Sequence, residues 1–554
     1  MLHPQLYLRP RTGTFFSQAL PHSPIEPNPG VYPPYILTLP RASVGDCNST
    51  AASMALVNNT PSTLFVTAAA YAFHNNNNNP RTWNSLPTEM VALIFRYAIS
   101  NEPDRKVNLV LSHTCRLWRE IALTSPLLWQ SIEFTTSYDP EYRWPGLCLA
   151  RSKKCAIDIT ITREALQFDD DDDDEDDPQL VEKAAARLIA LLSPESSRWR
   201  TVNINLPNPH LYNLLHDCLP RAAASAWSTA TLNSLTLTCD RNNQLNVPAL
   251  VFPPGYGRGL TRLVLNTLNV DWKQWDFTNL KYLELARHDR DHVRPRLPEL
   301  HDMLSRTPLL EELHFNGSGV WADDHEATSW KRFVTLKKLH TLTIARQVSC
   351  GDVAALIHLL RAPHLDKLII SEWRGDEYDR AITLLGSPDS GAGTGFPSIT
   401  YLHLRGIDMS DSTYGMDAFG EFLRSITKVT HLFAELHGMN PLSLLPLTDP
   451  APHLRYPAPA LQCFQVTGPH RGCIGRMVEA RKAIGRPMKK LILGRLDTKI
   501  TKEFNERLES MVETVLYVEP TDDDDAGCEG SDYEDHDEDD DDDDDDDDRE
   551  YEDE

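Results

Sequence analysis

The chain has 554 residues, of which 41% are hydrophobic, and its formal net charge is −26. The length and the apolar share are enough for a large buried core. The ten cysteines include no C-x-x-C pair, which argues against a disulfide framework and favours reduced, mostly buried thiols.

The negative charge is concentrated in two runs. Residues 169–177 are all acidic, and residues 522–554 contain 24 acidic residues against Arg549, so the rest of the chain carries about +6. Runs of like charge repel themselves, which predicts a solvated loop and a disordered tail. The tail could instead bind basic proteins such as histones or ribosomal proteins, or fold back over the basic body. Nucleic-acid binding is not expected, because the tail would repel phosphates.

The first 80 residues are rich in Pro, Asn, Ser and Thr and show no sustained periodicity, so residues 1–80 are predicted to be disordered. No targeting signal or membrane span is evident. We expect an intracellular protein, in the cytoplasm, the nucleus or both.

Two segments between Asn84 and Phe134 have helical periodicity. The first opens on Asn84 and Ser85, with Pro87 at a position where a helix needs no N–H. Its apolar residues recur at helical spacing: Met90, Leu93, Ile94, Tyr97 and Ala98. The second has a similar stripe, formed by Leu111, Cys115, Trp118 and Ala122, and a short third element runs from Ser125-Pro126 to Trp129. These patterns predict three helices.

The order of short motifs in these segments resembles an F-box. The motifs are Leu86-Pro87, Ile94-Phe95, the CRLWR run from Cys115 to Arg119, and Leu128-Trp129. Proteins of this family are substrate receptors of cullin-type ubiquitin ligases and bind the Skp adaptor through the three helices. The resemblance implies seven candidate adaptor contacts: Leu86, Pro87, Ile94, Phe95, Cys115, Trp118 and Trp129. Trp118 and Trp129 could equally hold the helices together.

Two further features bear on this resemblance. The polar connection from Asn101 to Asn108 is longer than in many F-boxes. CRLWREIALTSPLLW, followed by Ala150-Arg151-Ser152 and AIDITIT, is similar to many F-box proteins of mushroom-forming fungi. Members of that group mostly lack assigned substrates, so the resemblance names no target.

A template with apolar residues at positions one, four and six recurs after the F-box. Its copies start about 20 to 34 residues apart, which is typical of leucine-rich repeats that contribute one strand each. They begin at Trp199, Leu232, Leu260, Leu280, Leu310, Leu339, Leu365, Ile399, Leu461 and Met488, with a weaker copy at Val429. AIDITIT is expected to be the first strand, and a helix with Asp352 as its N-cap is expected between two copies.

The usual asparagine ladder of such repeats is absent, since the corresponding positions hold residues such as Leu268, His288 and Ser318. We therefore expect a degenerate, irregular leucine-rich-repeat-like solenoid. A sheet-and-helix domain without full solenoid closure is the alternative. Both belong to the α/β class.

These features predict five regions. They are a disordered N-terminal region (1–80), an F-box (81–135), a segment with a linker, the first strand, the acidic loop and a helix (136–198), a repeat domain that binds a protein partner (199–519), and an acidic tail (520–554).

No motif for catalysis, a metal or a cofactor rises above chance. His288 and His292 have the i, i+4 spacing of helical zinc sites, but no glutamate follows His288, so both are expected to be surface histidines. No nucleophile is placed beside a base. We expect neither intrinsic catalysis nor a cofactor.

The functional expectation is a non-catalytic receptor that holds the Skp adaptor at one end and an unknown protein substrate at the other. Five tryptophans beside or between the repeat strands are weak candidates for substrate contact, although each is more often a core residue: Trp272, Trp275, Trp321, Trp330 and Trp373. The alternative is a ligase-independent repeat scaffold or an acidic, histone-chaperone-like binder. An enzyme comes third.

Overall fold

The computed structural model describes residues between 86 and 518. The described ranges are 86–101, 107–135, 141–162, 178–206, 232–239, 249–252, 256–288, 293–322, 330, 332–346, 350–372, 382–383, 385, 396–406, 415–435, 456–467, 471–494 and 501–518. The predicted disorder at 1–80, the acidic run at 169–177 and the tail at 520–554 lie outside the described residues.

The described chain begins with four short helical segments. They are α1 (Thr88–Asn101), α2 (Val107–Thr114), α3 (Arg116–Thr124) and a 3-10 helix (Pro126–Trp129). The sequence predicts one helix through Cys115, and this is wrong, because Cys115 has an extended backbone with φ −153° and ψ 172°. Its Sγ accepts the N–H of Trp118 at 3.5 Å, so Cys115 caps α3 instead of continuing α2.

A fourteen-stranded sheet, parallel throughout, follows these helices, with its strands in chain order. Its strands are β1 (Ser131–Phe134), β2 (Ile157–Ile161), β3 (Trp199–Leu206), β4 (Ser234–Cys239), β5 (Arg262–Asn266), β6 (Tyr282–Ala286), β7 (Glu312–Asn316), β9 (Thr341–Ala345), β11 (Lys367–Ser371), β12 (Tyr401–Arg405), β13 (His431–Glu435), β14 (Cys463–Thr467), β15 (Lys490–Leu493) and β16 (Thr514–Tyr517). Two shorter strands, β8 (Val334–Thr335) and β10 (Leu360–Arg361), pair separately.

The first strand differs from the expectation. AIDITIT forms β2, whereas β1 is the SIEF segment that directly follows the 3-10 helix. β1 spans only four residues, the shortest length at which alternation indicates a strand, and no copy of the apolar template covers it.

Each apolar template places its fourth and sixth residues on a strand, which confirms the predicted strands at these positions. On β6, for example, Leu283 and Leu285 are fully buried, and they align with Leu313 and Phe315 of β7. Intervening residues such as Tyr282 and Glu284 point to the opposite, partly exposed face. The sheet therefore buries one face in a leucine-rich core and leaves the other accessible.

A left-handed residue ends six of these strands. Thr267, Arg287, Gly317, Arg346, Glu372 and Gly406 have φ between 52° and 62°, and each directly follows its strand. Their N–H groups donate to the last residue of the next strand, as Arg287 does to the carbonyl of Asn316 at 2.7 Å. This repeated backbone turn links neighbouring strands where an asparagine side chain would otherwise satisfy the turn.

Helices connect several of the strands. They are α4 (Arg143–Arg151), α5 (Pro178–Leu192), α6 (Leu297–Ser305), α7 (Cys350–Leu359), α8 (Gly415–Ser425), α9 (Arg471–Ala483) and α10 (Lys502–Glu509), with 3-10 turns at Ser193–Arg198 and Tyr256–Gly259. None of the described helices is long and apolar enough to cross a membrane.

Asp352 is not the N-cap of α7, as the sequence suggests. It is the third residue of that helix, and its side chain forms a buried ion pair with Arg294. A second oxygen accepts the N–H of Ala322 at 3.4 Å. Asp352 therefore ties α7 to the segments on either side of α6 and β7.

His288 is buried and not on the surface as expected. It lies two residues after β6 against the ring of Trp272, with ring centroids 5.8 Å apart. Burial lowers the pKa of His288 to about 4. His292, which was also expected on the surface, lies outside the described residues.

Candidate functional site: an apolar helical surface and an open sheet face

The short helices at the start of the described chain expose an unusual number of large apolar side chains. Of the thirteen large hydrophobic residues that are exposed among the described residues, seven lie between positions 86 and 135. They are Met90, Leu93, Tyr97, Leu109, Val110, Leu123 and Leu127, with 37% to 64% of their surface exposed. A concentration of this kind marks an interaction surface more often than chance exposure does.

The α1 helix is apolar on two sides. Val91, Phe95 and Ala98 form a buried stripe, and the ring of Phe95 packs edge-on against Trp118 of α3 at 4.9 Å. Positions 90, 93 and 97 form a second stripe that faces solvent. Packing within this chain explains the first stripe only.

The seven predicted contacts divide between these environments. Phe95, Trp118 and Trp129 are buried, with at most 5% of their surface exposed. Leu86, Ile94 and Cys115 are half-buried, and Pro87 is exposed. Their roles as adaptor contacts remain predictions.

The three buried rings hold the helices together. The indole N–H of Trp129 donates to the carbonyl of Ala122 at 2.8 Å, which fixes the 3-10 helix against α3. The predicted adaptor contacts do not include Met90, Leu93 and Tyr97, although these residues form an exposed apolar stripe. The signal for it was present, since an amphipathic surface helix normally has one apolar stripe and this helix has two.

The helices are fixed to the sheet. The 3-10 helix is followed after one residue by β1, and Trp129 lies between Trp144 of α4, at 5.7 Å, and the guanidinium of Arg151, at 4.4 Å. Arg198, which is 8% exposed, donates to the hydroxyl of Ser152 at 2.7 Å and also to two backbone carbonyls near the end of α4. The apolar helical surface is therefore held at a defined position relative to the first strands.

The open sheet face carries polar and aromatic side chains in register. The guanidinium of Arg262 on β5 lies 3.5 Å from the centre of the Tyr282 ring on β6, and the ring of His314 on β7, the register partner of Glu284, stacks diagonally on Tyr282 at 4.8 Å. The hydroxyl of Tyr282 donates to Glu284 at 2.7 Å, and burial together with this carboxylate raises the pKa of Tyr282 to about 12. His314 shares a 2.8 Å hydrogen bond with Thr343, and burial lowers its pKa.

The same face forms a cavity of about 390 Å³ near the C-terminal end of the sheet. Tyr401, His431 and Phe433 line one side, and Gln465 and Lys490 lie among the residues of the other. These groups offer hydrogen bonds, ring faces and positive charge to a partner. Among the described residues, no group of three or more His, Cys, Asp or Glu side chains could hold a metal ion.

The five tryptophan candidates do not share a surface. Trp272 and Trp275 are buried, because they pack in an aromatic core where Trp275 contacts Phe277 at 4.4 Å, so neither ring is available to a partner. Trp321 and Trp330 are half-buried. Trp373 lies outside the described residues.

Comparison with known protein families locates one match. Residues 83–135 match the model of the F-box-like family. This range contains the seven exposed apolar residues, the buried aromatic core of the helices and β1. No curated protein matches the chain. The chain thus contains an F-box-like domain, and such a domain suggests a role in an F-box-type ubiquitin ligase.

Proposed function

We propose that this chain is a non-catalytic substrate receptor of a cullin-type ubiquitin ligase. Its F-box-like helices bind the Skp adaptor, and the open face of its sheet binds a target protein. The observation that carries the proposal is the exposed apolar stripe on helices that match the F-box-like family.

Burial of the stripe supplies the driving force for adaptor binding. Removing a large apolar side chain fully from water contributes about 1.5–3 kcal/mol. In the free chain, about half or more of the surface of Met90, Leu93 and Tyr97 is exposed to solvent. Their burial under a partner would therefore contribute several interactions on the order of 1 kcal/mol each.

We also interpret the sheet as a degenerate leucine-rich-repeat-like solenoid. Strands in chain order, a buried apolar pair on each repeat strand and the recurring left-handed turn support this interpretation. In repeat proteins of this kind each unit contacts its neighbours and the strands present an extended binding surface. The open face is then the natural site for a target protein.

The mechanism is positioning. A separate enzyme supplies the ubiquitin chemistry, and this chain raises the effective concentration of target lysines near that enzyme. The contacts of Trp129 and Arg198 serve this role, because they hold the adaptor surface at a fixed position relative to the first strands.

The proposal predicts loss of adaptor binding in Leu93→Glu. Leu93 is 56% exposed, so the substitution places a charge in the interface and leaves the core of the helices unchanged. We expect co-purification with co-expressed Skp adaptor to fall at least about tenfold, since a charged group in an apolar contact costs more than 1.4 kcal/mol.

Phe333→Glu is the matched control, because Phe333 is 55% exposed and lies in the repeat region. It should leave adaptor binding intact. Wild-type chain that fails to co-purify with the adaptor, or equal losses in the two variants, would contradict the proposal and favour the ligase-independent scaffold.

A further inference from the structure

Five strands near the end of the sheet align a row of basic and aromatic side chains. Lys367, Tyr401, His431, Cys463 and Lys490 are direct register partners on β11 to β15, and we call them the basic–aromatic row. The ammonium group of Lys367 lies 5.1 Å from the centre of the Tyr401 ring, which in turn stacks on His431 at 6.5 Å. Adjacent strands are about 4.8 Å apart, so the row spans about 20 Å.

A less polar row runs beside it, two residues further along each strand. It consists of Ile369, His403, Phe433, Gln465 and Ile492. His403 packs edge-on against Phe433 at 4.2 Å. The cavity of about 390 Å³ opens between the two rows from β12 to β15. The surface therefore combines a ring-lined depression with lysines at both ends.

The lysines at this site lack acidic partners among the described residues. Lys367, Lys489 and Lys490 form no ion pair there, whereas Lys281 elsewhere on the sheet pairs with Glu311 at 3.0 Å. Two of the nearby carboxylates have other partners, and a third, Glu513, lines a neighbouring depression together with Lys489 without forming an ion pair among the described residues. Glu435 pairs with Arg405 at 2.9 Å, and Asp366 accepts the hydroxyl of Thr400. The site presents uncompensated positive charge.

The last described strand, β16, lies at the edge of the sheet next to this site. The described chain ends at Val518, whose N–H donates to the carbonyl of Leu493 at the far end of β15, whereas Lys490 at the near end of β15 aligns with Thr514. Glu519 follows directly, and the acidic tail of residues 522–554 contains 24 further acidic residues. Lys490 lies about 13 Å back along β15 from the level of Val518, and Lys367 about 20 Å further across the sheet, distances that an extended segment as long as residues 522–554 can cover.

The acidic run at 169–177 is a poorer candidate. It lies between β2 and α5, and β2 is seven strands from β11, or about 34 Å along the sheet. The run belongs to a segment of 15 residues between Thr162 and Pro178. Anchored at both ends, such a segment extends at most about 25 Å from its anchors.

We propose that the acidic tail of this chain docks on the basic–aromatic row and competes there with the target protein. This inference deepens the proposed function and rests on it, because the row is part of the open sheet face. Binding within one chain has an effective concentration in the millimolar range, so even a weak contact would occupy the site. Screening by salt would release it.

Carbodiimide cross-linking of the full chain, followed by mass spectrometry, tests the docking without adaptor or target. The reagent joins carboxylates to lysine amines that touch them. We expect tail cross-links on Lys367, Lys489 and Lys490 at 50 mM salt, at least about fivefold above Lys502, and their loss at 500 mM salt. Lys502 is the proximity control, because it is exposed at the start of α10 and close in sequence to the tail.

Equal cross-linking of Lys502 and Lys490, or no cross-links at the row, would overturn the inference. So would cross-links that form only between differently isotope-labelled chains, because they would assign the site to a second copy. A full-length variant with asparagine at the ten aspartates of 539–548 supplies a second readout. It should bind a poly-glutamate peptide about tenfold more tightly than wild type at 50 mM salt. Unchanged affinity contradicts competition, and neither result depends on adaptor binding.

Discussion

Arg294 and Asp352 form the most deeply buried ion pair among the described residues, with 3% of each side chain exposed. Breaking such a pair leaves a charge in the core without its partner. Asp352→Ala should therefore lower the free energy of unfolding by about 3–5 kcal/mol, measured by urea denaturation. Glu311→Ala, which removes the half-buried partner of the exposed Lys281, should cost less than about 1 kcal/mol. Similar costs for the two variants would contradict the structural role of the buried pair.

His288 makes the stability of the fold depend on pH. Its pKa in the folded chain is about 4, below its ordinary value of 6.5, so the unfolded chain binds a proton first as pH falls. The stabilisation is complete above pH 6.5 and is lost as the pH falls toward 4, with a contribution of up to about 3 kcal/mol. His288→Asn should flatten the decline of the melting temperature between pH 6.5 and 4.5. Parallel curves for wild type and variant would show that His288 is not the group responsible.

At the scale of elements, left-handed residues recur directly after six strands, where their N–H groups donate to the next strand. Gly317 has φ 62°, and an added Cβ would meet only ordinary contacts, the nearest at 3.5 Å. Gly317→Ala should thus cost about 1–2 kcal/mol through backbone conformation alone.

The same substitution in a helix has the opposite sign. Gly475 lies inside α9, where a Cβ would contact Phe504 at 3.7 Å, so Gly475→Ala should stabilise the chain by about 0.5–1 kcal/mol. Urea denaturation of both variants measures the difference. Stabilisation by Gly317→Ala would contradict the left-handed turn.

Sequence periodicity was sufficient for the repeat strands, because each buries two apolar side chains at fixed spacing, as Leu283 and Leu285 do. It was insufficient where an element is short or where one atom decides the geometry. β8 and β10 have two residues each, and the Sγ of Cys115 ends a helical pattern that otherwise continues. The ion pair of Asp352 could not be predicted from a local pattern, because its partner Arg294 is 58 residues away in the chain.

The sequence predicted where the candidate site lies but not which of its side chains are exposed. Motif order located the F-box-like helices, and family matching agrees on residues 83–135. The motif could not say which apolar residues face inward. Phe95 of α1 packs on Trp118 of α3, while Leu93 and Tyr97, also on α1, face solvent. That division follows from tertiary packing and not from hydrophobicity.

At the scale of the whole molecule, two surfaces are joined through the contacts of Trp129 and Arg198. The helices present an apolar stripe, and the sheet presents polar, aromatic and basic rows on its open face. Trp129 and Arg198 connect them through α4 and the first strands. The adaptor binding proposed above should therefore leave the open sheet face uncovered.

Hydrogen exchange of the full chain with and without purified Skp adaptor tests this division most directly. Adaptor binding should add protection of backbone amides in α1 to α3 and leave exchange on β5 to β15 unchanged. Protection on the sheet strands without protection of the helices, or no change anywhere at saturating adaptor, would contradict it.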